Sequence, residues 1–567
     1  MTSDGRLDDQ ARSDSLHRMR SETLDVLVVG GGITGVGSAL DAATRGLSVG
    51  LIERGDLAAG TSSKSSKLIH GGIRYLEQLN IGLVREALRE RGILLHRIAP
   101  HLVQPVSFLM PLRHRIWERA YLGSGVMLYD RLGGAKQLPA GRHLSRSDVA
   151  TIAPGLRPDA YVGGVQFWDA QEDDARFVTF VARTARAHGA AIATQVTAQT
   201  LTIENERVTG VEAFDSETGE HFTIRARHVV TALGAWTGDL LPHSAVKVRP
   251  SKGVHIVLPK SAIAMDTGLV ARTDTGLIFV IPWDDWWLVG DTDTEWNEEP
   301  DCVRATRTDV NILLSRLNSQ LATPVGADQI VGVFAGLRPL VAADSNTETV
   351  QLSREHAISS LMPGISAISG GKFTTYRAMA AQLIDVVVAD LHLGLTESHT
   401  ASTPLVGAEG FAQLWRSRRH IAIERELSVA CVERLLRRYG ACALEIFDLI
   451  DQDRELAESV HPESHVTGAE ITYACTHESA RHLDDVLERR TRLAIQTRDS
   501  GLAAVDRVAA LMQRSLGWGD DVVTEEILRY RQLTAKQRQD FDITAPSTGN
   551  TVDHNKRNTQ PCMFKGG

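Results

Sequence analysis

Between Asp56 and Glu77 the chain concentrates chemically capable side chains. Thr61, Ser62, Ser63, Ser65 and Ser66 supply five hydroxyls, Lys64 and Lys67 two ammonium groups, and Leu68-Ile69-His70-Gly71-Gly72-Ile73-Arg74-Tyr75 follows directly. Such a segment offers donors to a phosphate or to the polar edge of an isoalloxazine, and its glycines let backbone lie against a flat ring. A Ser-rich surface loop is the plain alternative, but a solvated linker seldom runs through His-Gly-Gly-x-Arg-Tyr into a long amphipathic helix. His70 is a candidate general base, because an imidazole titrates near neutral pH. His255, in the alternating run Val254-His255-Ile256-Val257, is the second candidate and could equally be a hydrogen-bonded strand histidine. Two more cations stand where an anion could be gripped. Arg338 follows an apolar run in Gly336-Leu337-Arg338-Pro339, and Lys372 opens a helix after Gly370-Gly371, where ammonium and helix N-terminus can hold one anion together. The competing readings are a surface ion pair for Arg338 and a solvated lysine for Lys372. Tyr75 and Tyr376 are as suited to packing as to chemistry.

The frame for these groups begins at Leu24. Leu24-Asp-Val-Leu-Val-Val29 reads as a buried strand that runs into Gly30-x-Gly32-Ile33-Thr34-Gly35, then a helix, then the strand Leu47-Ser-Val-Gly-Leu-Ile-Glu53. Missing side chains in the turn let backbone N–H groups approach a pyrophosphate, and the helix N-terminus faces its charge. Glu53 closes the second strand at the distance where an acid accepts from adenosine ribose hydroxyls, which argues for a dinucleotide without a 2′-phosphate. To about Pro404 the pattern is a layered α/β enzyme, with strands and turns over 190–230 and a second antiparallel block over 247–291. The strands therefore predict a cofactor domain over 23–400, interleaved with a substrate domain drawn mainly from about 100–170 and 247–340. After a proline-containing linker near 400–410, helical periodicity predicts a separate all-α domain over 401–543. Residues 1–22 read as a loose extension and 544–567 as a disordered tail.

The bulk numbers exclude several classes. With 567 residues, 43% hydrophobic, two or three domains are expected. A net charge of −9 and a pI near 6.1 leave no basic face for nucleic acid. The five cysteines are scattered without a C-x-x-C pair, so neither a metal site nor a disulfide framework is expected. No secretory leader is expected from residues 1–22, and the apolar run 378–395, broken by Asp385 and Asp390, reads as a buried helix and not a membrane span.

At this point the sequence closely resembles a family, the FAD-dependent glycerol-3-phosphate dehydrogenases, over about residues 22–540. The likeness is carried by Gly30-Gly-Gly-Ile-Thr-Gly35, Thr61 to Leu76, Lys252-Gly-Val-His-Ile-Val257, Ile281-Pro-Trp283, Gly290-Asp-Thr-Asp293, Gly336-Leu-Arg-Pro-Leu340, Gly370-Gly-Lys-Phe-Thr-Thr-Tyr-Arg377 and Leu436-Arg-Arg-Tyr-Gly440. One departure is Leu233 in Thr231-Ala-Leu-Gly-Ala-Trp236, where the family usually has threonine. The resemblance implies an FAD-binding, glutathione-reductase-type Rossmann-like domain with an interleaved antiparallel substrate domain of D-amino-acid-oxidase type and a C-terminal all-α domain. It implies FAD as cofactor, held by Gly30, Gly32, Ile33, Thr34, Gly35, Glu53, Thr61, Ser62, Ser63, Ser65, Ser66, Lys67, Leu68, Gly234, Trp236, Gly371, Lys372 and Thr374. It also implies a substrate pocket of Arg74, Tyr75, His255, Arg338 and Lys372, with His70, Arg338 and Lys372 as the catalytic set and no metal.

The expected reaction is oxidation of sn-glycerol 3-phosphate to dihydroxyacetone phosphate. It needs a hydride acceptor, a base for the hydroxyl proton, and cations for a dianionic phosphate. With no second dinucleotide fingerprint and no cysteine cluster, the electron acceptor is diffusible; in the family it is a membrane quinone. The stretch 111–131 mixes Arg with Trp, Tyr, Leu and Met as interfacial helices do, although buried α/β helices carry similar patterns. The implied location is cytoplasmic, in peripheral contact with the inner face of the cell membrane, and a homodimer is allowed. The rivals are a glycerol-3-phosphate oxidase using oxygen, a flavin oxidoreductase for another hydroxy or amino acid, and a non-enzymatic flavin-binding scaffold.

Overall fold

Short apolar, β-branched runs buried on both faces belong in parallel sheets, and the chain builds its first sheet from them. The computed structural model describes residues 5–539 apart from 74–75, 77–79, 115, 135–137, 241–246, 343–355 and 395–396. The first sheet runs in the order His356–Met362, Ile365–Gly370, Glu220–Thr231, Leu24–Val29, Val49–Glu53, Ala191–Thr194. All neighbours are parallel except the first pair. A hairpin, Val196–Glu204 with Arg207–Asp215, extends it along the outer half of Glu220–Thr231. The helix Ile33–Thr44 covers one face and meets the helix Tyr376–Asp390 so closely that a Cβ on Gly37 would stand 2.7 Å from the Tyr376 ring. The two acids that interrupt the latter's apolar run are accounted for. Asp385 pairs with Arg45 at 2.6 Å, and Asp390 meets Arg207 at 2.6 Å and His228 at 2.8 Å.

The second sheet draws its strands from 104–171 and 247–342, with the short edge Leu68–Ile69 reaching in from the serine-rich segment. Its long central pair, Lys247–Pro259 with Gly332–Ala342, sets Ser251 opposite Arg338 and His255 opposite Phe334. That register brings one candidate cation and one candidate base to the same strand pair.

Helices from Phe411–Glu424 to Asp520–Gln539 form the C-terminal part. It is more tightly joined to the rest than the linker suggested. One continuous apolar cluster runs from Val28 and Val36 through Phe177 and Phe180 to Leu435, Phe447 and Tyr473. The tail 544–567 lies outside the described residues.

Residues 5–22 differ from the loose extension expected of 1–22. Asp9–Ser21 is a helix whose first turn is capped by Asp8, which accepts from Ala11 N at 2.8 Å. Ala11, Ser15, Leu16 and Met19 lie buried against the sheet edge. Arg12 crosses to Asp215 at 2.7 Å and donates to the Thr194 carbonyl at 3.0 and 3.1 Å. Polar residues fill positions where an amphipathic stripe would need apolar ones, so the face is invisible to periodicity, while burying a charge-assisted bond holds the helix in place. Removing one partner of a buried pair costs about 3–5 kcal/mol. Arg12→Met should therefore lower the unfolding free energy from denaturant titration by an amount in that range, and an unchanged value would restore the loose-extension reading.

Candidate functional site

A cavity of about 610 Å³ opens between the two sheets. Its floor is the glycine turn. Gly30 has φ +116°, and a Cβ there would lie 2.6 Å from the Ala232 carbonyl; a Cβ on Gly35 would collide with the Gly30 carbonyl. The helix that follows starts at Gly32, which has no side chain to cap it, so its first-turn N–H groups face the cavity floor without a cap from that residue. Ser62 Oγ accepts from Ile33 N at 3.0 Å and ties the serine segment to this turn. Glu53 braces the same turn. Its two oxygens accept from Gly31 N at 2.6 Å and Gly55 N at 2.9 Å, and burial holds its carboxyl above the ordinary range while these bonds and Arg54 pull it down. The two carboxylate oxygens keep further lone pairs for ribose hydroxyls.

The serine segment then passes along the second sheet. Thr61 Oγ1 donates to the Leu337 carbonyl at 2.6 Å, and Ser66 Oγ stands 2.9 Å from His255 Nε2. His255 stacks on Phe334 with centroids 5.0 Å apart; its Nδ1 is buried without a hydrogen-bond partner, and burial lowers its pKa to about 4, so the ring is neutral near pH 7. At the end of the segment the His70 backbone and Thr374 Oγ1 hold each other, N–H to Oγ1 at 3.0 Å and Oγ1 to C=O at 3.3 Å. His70 is thereby clamped beside the Lys372 turn. Arg338 is paired with Asp291, donates to the Thr292 carbonyl at 2.8 Å and lies 3.6 Å from Asp293. At the cavity mouth Arg54 pairs with Asp301 at 2.6 Å and lies 4.9 Å over the Trp236 ring, whose Nε1 donates to the same carboxylate at 3.0 Å.

Of the residues singled out in the sequence, the structure brings most to this cavity. Gly30, Gly32, Ile33, Thr34 and Glu53 line one end, Thr61, Ser62, Ser65, Ser66, Leu68 and His70 one wall, and Gly234, Trp236, His255, Arg338, Gly371, Lys372 and Thr374 the rest. Three lie behind the lining. Gly35 packs under the turn, while Ser63 and Lys67 face inward, Lys67 Nζ being taken up by Asp174 at 2.7 and 2.8 Å and by the Ser63 carbonyl at 2.9 Å. Arg74 and Tyr75 lie outside the described residues. Tyr376 is buried, its hydroxyl without a partner, among Phe177 and Phe373. Sequence reasoning passed over Arg54 and Asp301, and quoted Asp291 within Gly290-Asp-Thr-Asp293 without giving it a role. Arg54 had a signal in its place directly after Glu53; Asp301, from a surface turn, had none. The donor set, a helix N-terminus that begins at glycine over a turn that tolerates no side chain plus a strand-end acid, fits a bound dinucleotide.

Comparisons with known proteins agree with this geometry. Residues 25–384 match the model of the FAD dependent oxidoreductase family, and residues 398–523 match that of the C-terminal domain of alpha-glycerophosphate oxidase. The chain is 43% identical over 544 residues to a glycerol-3-phosphate dehydrogenase of Mycobacterium leprae, covering 94% of this chain and 93% of that one. It is 34% identical over 535 residues to a mitochondrial glycerol-3-phosphate dehydrogenase of Mus musculus, with 89% and 72% covered. The solved glycerol-3-phosphate dehydrogenase of Bacillus halodurans complexed with FAD superposes with a TM-score of 0.78 at 26% identity, covering 95% of this chain and 99% of that one.

The neutral, buried His255 has a consequence for stability. Its folded pKa of about 4 lies below the ordinary 6.5, so between those values the unfolded chain binds more protons and stability falls as pH drops through the window. His255→Asn should make the acid loss of stability from about pH 6.5 to 4 shallower. A slope equal to that of the unmutated protein would contradict the buried, neutral imidazole.

Proposed function

The chain belongs to the family of FAD-dependent glycerol-3-phosphate dehydrogenases, and on that basis we propose that it oxidises sn-glycerol 3-phosphate to dihydroxyacetone phosphate and delivers the electrons to a membrane quinone. The observation that carries this reading is the convergence of His70, Lys372 and Arg338 on one cavity whose far end is built for a dinucleotide. Bound FAD would be held by the glycine turn, Glu53 and the serine wall, and would supply the acceptor for the hydride from substrate C2. Every other requirement falls to side chains of the protein.

Lys372 and Arg338, with Arg74 from the same motif set, hold the phosphate dianion. An ammonium and guanidinium forks match its charge and geometry. Asp291 and the Thr292 carbonyl fix the Arg338 guanidinium in advance, so little side-chain entropy is lost on binding. His70 takes the C2 hydroxyl proton as the C–H bond gives up its electron pair. His255 is less suited to that role. Its Nε2 is engaged by Ser66 and its Nδ1 is shut away from the cavity, so it serves as a neutral hydrogen-bonding partner that orients the serine wall.

Membrane contact is supported by the helix Trp117–Gly133 and the residue before it. Ile116, Trp117, Tyr121, Met127 and Leu128 are exposed, at 85%, 59%, 50%, 55% and 41%, next to Arg113 and Arg119. A soluble protein seldom leaves so many large apolar side chains on one helix in water, and an aromatic and basic surface suits the lipid headgroup level. Among the described residues no helix is long and apolar enough to cross a membrane.

Turnover of the FAD-loaded protein on sn-glycerol 3-phosphate, with a soluble quinone analogue and separately with air, tests the reaction and its acceptor. Quinone reduction well above peroxide formation is expected. Rapid peroxide release would move the protein to the oxidase reading, which the match of residues 398–523 keeps in view. His70→Asn should retain FAD and lose about 10²–10⁴-fold in kcat, the usual contribution of a general base; a loss below about threefold would remove it from that role. Ile116→Ser with Trp117→Ser should abolish flotation with anionic vesicles, and undiminished flotation would place membrane contact elsewhere.

A further inference from the structure

The serine segment is held in place from an unexpected side. The turn Asp485–Arg490 and the residue Arg492, which belong to the C-terminal helical part, reach under the segment at Asp56 and at Ser63. Arg489 and Arg490 bind Asp56, at 2.5 Å and at 2.6 and 2.7 Å, where the segment starts. Arg492 acts where it matters for the site. Only 1% exposed and in the left-handed region at φ +68°, it donates to Asp173 at 2.7 Å, to Asp174, and to the Ser63 carbonyl at 3.3 Å. Asp174 in turn takes Lys67 Nζ and accepts from Ser65 N at 2.9 Å, while Ser65 Oγ accepts from Lys67 N at 3.0 Å. The next hydroxyl, Ser66, is the one that meets His255 in the cavity.

We propose that Arg492 is a positioning residue for the site: through Asp174 and the backbone of residues 63–67 it sets Ser66 against His255. This inference rests on the reading of the cavity given under the proposed function. The physical reason is charge balance in a dry pocket. Two carboxylates, Asp173 and Asp174, face Lys67 and Arg492, with Arg438 3.3 Å from Asp173 as a third cation; Lys67, Asp174 and Arg492 are shielded from water and Asp173 nearly so. Without the guanidinium, Asp174 keeps only Lys67 and Asp173 only the longer contact to Arg438, so the buried carboxylate that holds the Ser65 N–H is under-compensated and the segment must shift to recruit Lys67 differently. No atom of Arg492 lines the cavity, so any effect on the reaction is transmitted by the segment.

Non-additivity tests this. Arg492→Met, Ser66→Ala and the double variant are prepared as FAD-loaded proteins and assayed well below their unfolding temperatures. Each single variant should lower kcat about tenfold with KM changed less than about threefold, and Arg492→Met should add less than about twofold on top of Ser66→Ala, because both remove the same contact. The visible circular dichroism of the bound flavin should change in the same sense in both single variants, a readout that needs no turnover. Arg492→Lys keeps the charge without the bidentate reach and should recover part of both signals; it also carries the comparison if Arg492→Met does not fold. Additive losses in kcat, or a lowered unfolding temperature with flavin dichroism and kcat unchanged, would reduce Arg492 to a structural ion pair. If the unmutated protein does not turn over sn-glycerol 3-phosphate, the proposed function fails, while the dichroism of the variants still decides the role of Arg492.

Discussion

Burying charge without leaving it unmatched is the constraint around which this molecule is arranged. Lys67, Arg489, Arg490 and Arg492 lie out of water beside Asp56, Asp173, Asp174 and Asp485, in a layer between the serine segment and the C-terminal helices. A single uncompensated charge there would cost several kcal/mol, so the segment that lines the cavity and the turn that supports it can exist only together. The same balance is visible in the pKa shifts. Burial raises Asp485 to about 6, with Asp56 and Asp484 adding to it, whereas Arg492 and Arg438 hold Asp173 far below the usual carboxylate range although burial opposes them. Electrostatic fit, more than apolar area alone, joins the two halves of the chain.

That frame explains why the cavity can be open and polar on one side yet firmly shaped. The glycine turn is fixed from above by Ser62 and from the side by Glu53, the serine wall by Thr61 and Ser66, and the Lys372 turn by the paired bonds between Thr374 and His70. Apart from Ser66 with His255, which joins two side chains, each of these is a contact between a backbone group and a side chain, which fixes geometry with little loss of rotamer freedom. A site built this way is preorganised for a flat cofactor and a small charged substrate.

The sequence disclosed the parts that depend on local order. The strand, glycine turn, helix and strand-end acid of the first sheet were legible because the pyrophosphate turn dictates residue types at fixed offsets, and the serine segment stood out by composition. Groups assembled by register were harder to see. Arg338 meeting Asp291, Asp301 closing on Arg54, and Arg492 reaching Asp174 over 318 residues are consequences of strand pairing and helix docking that leave no periodic trace. The N-terminal helix was missed for a related reason: its buried face contains Arg12 and Ser15, whose burial is made tolerable only by partners on a distant strand edge and hairpin. Lys67 was readable as a donor for a cofactor, but its type could not reveal that Asp174 had claimed it.

We propose that this cavity holds a flavin poised to take a hydride from a phosphorylated secondary alcohol. Anaerobic addition of sn-glycerol 3-phosphate to the FAD-loaded protein tests it most directly. One equivalent should bleach the flavin promptly, and His70→Asn should bleach orders of magnitude more slowly with its flavin still bound. A flavin that stays oxidised with excess sn-glycerol 3-phosphate, but bleaches with a hydroxy or amino carboxylate, would contradict the account and assign the cations of this cavity to a carboxylate substrate.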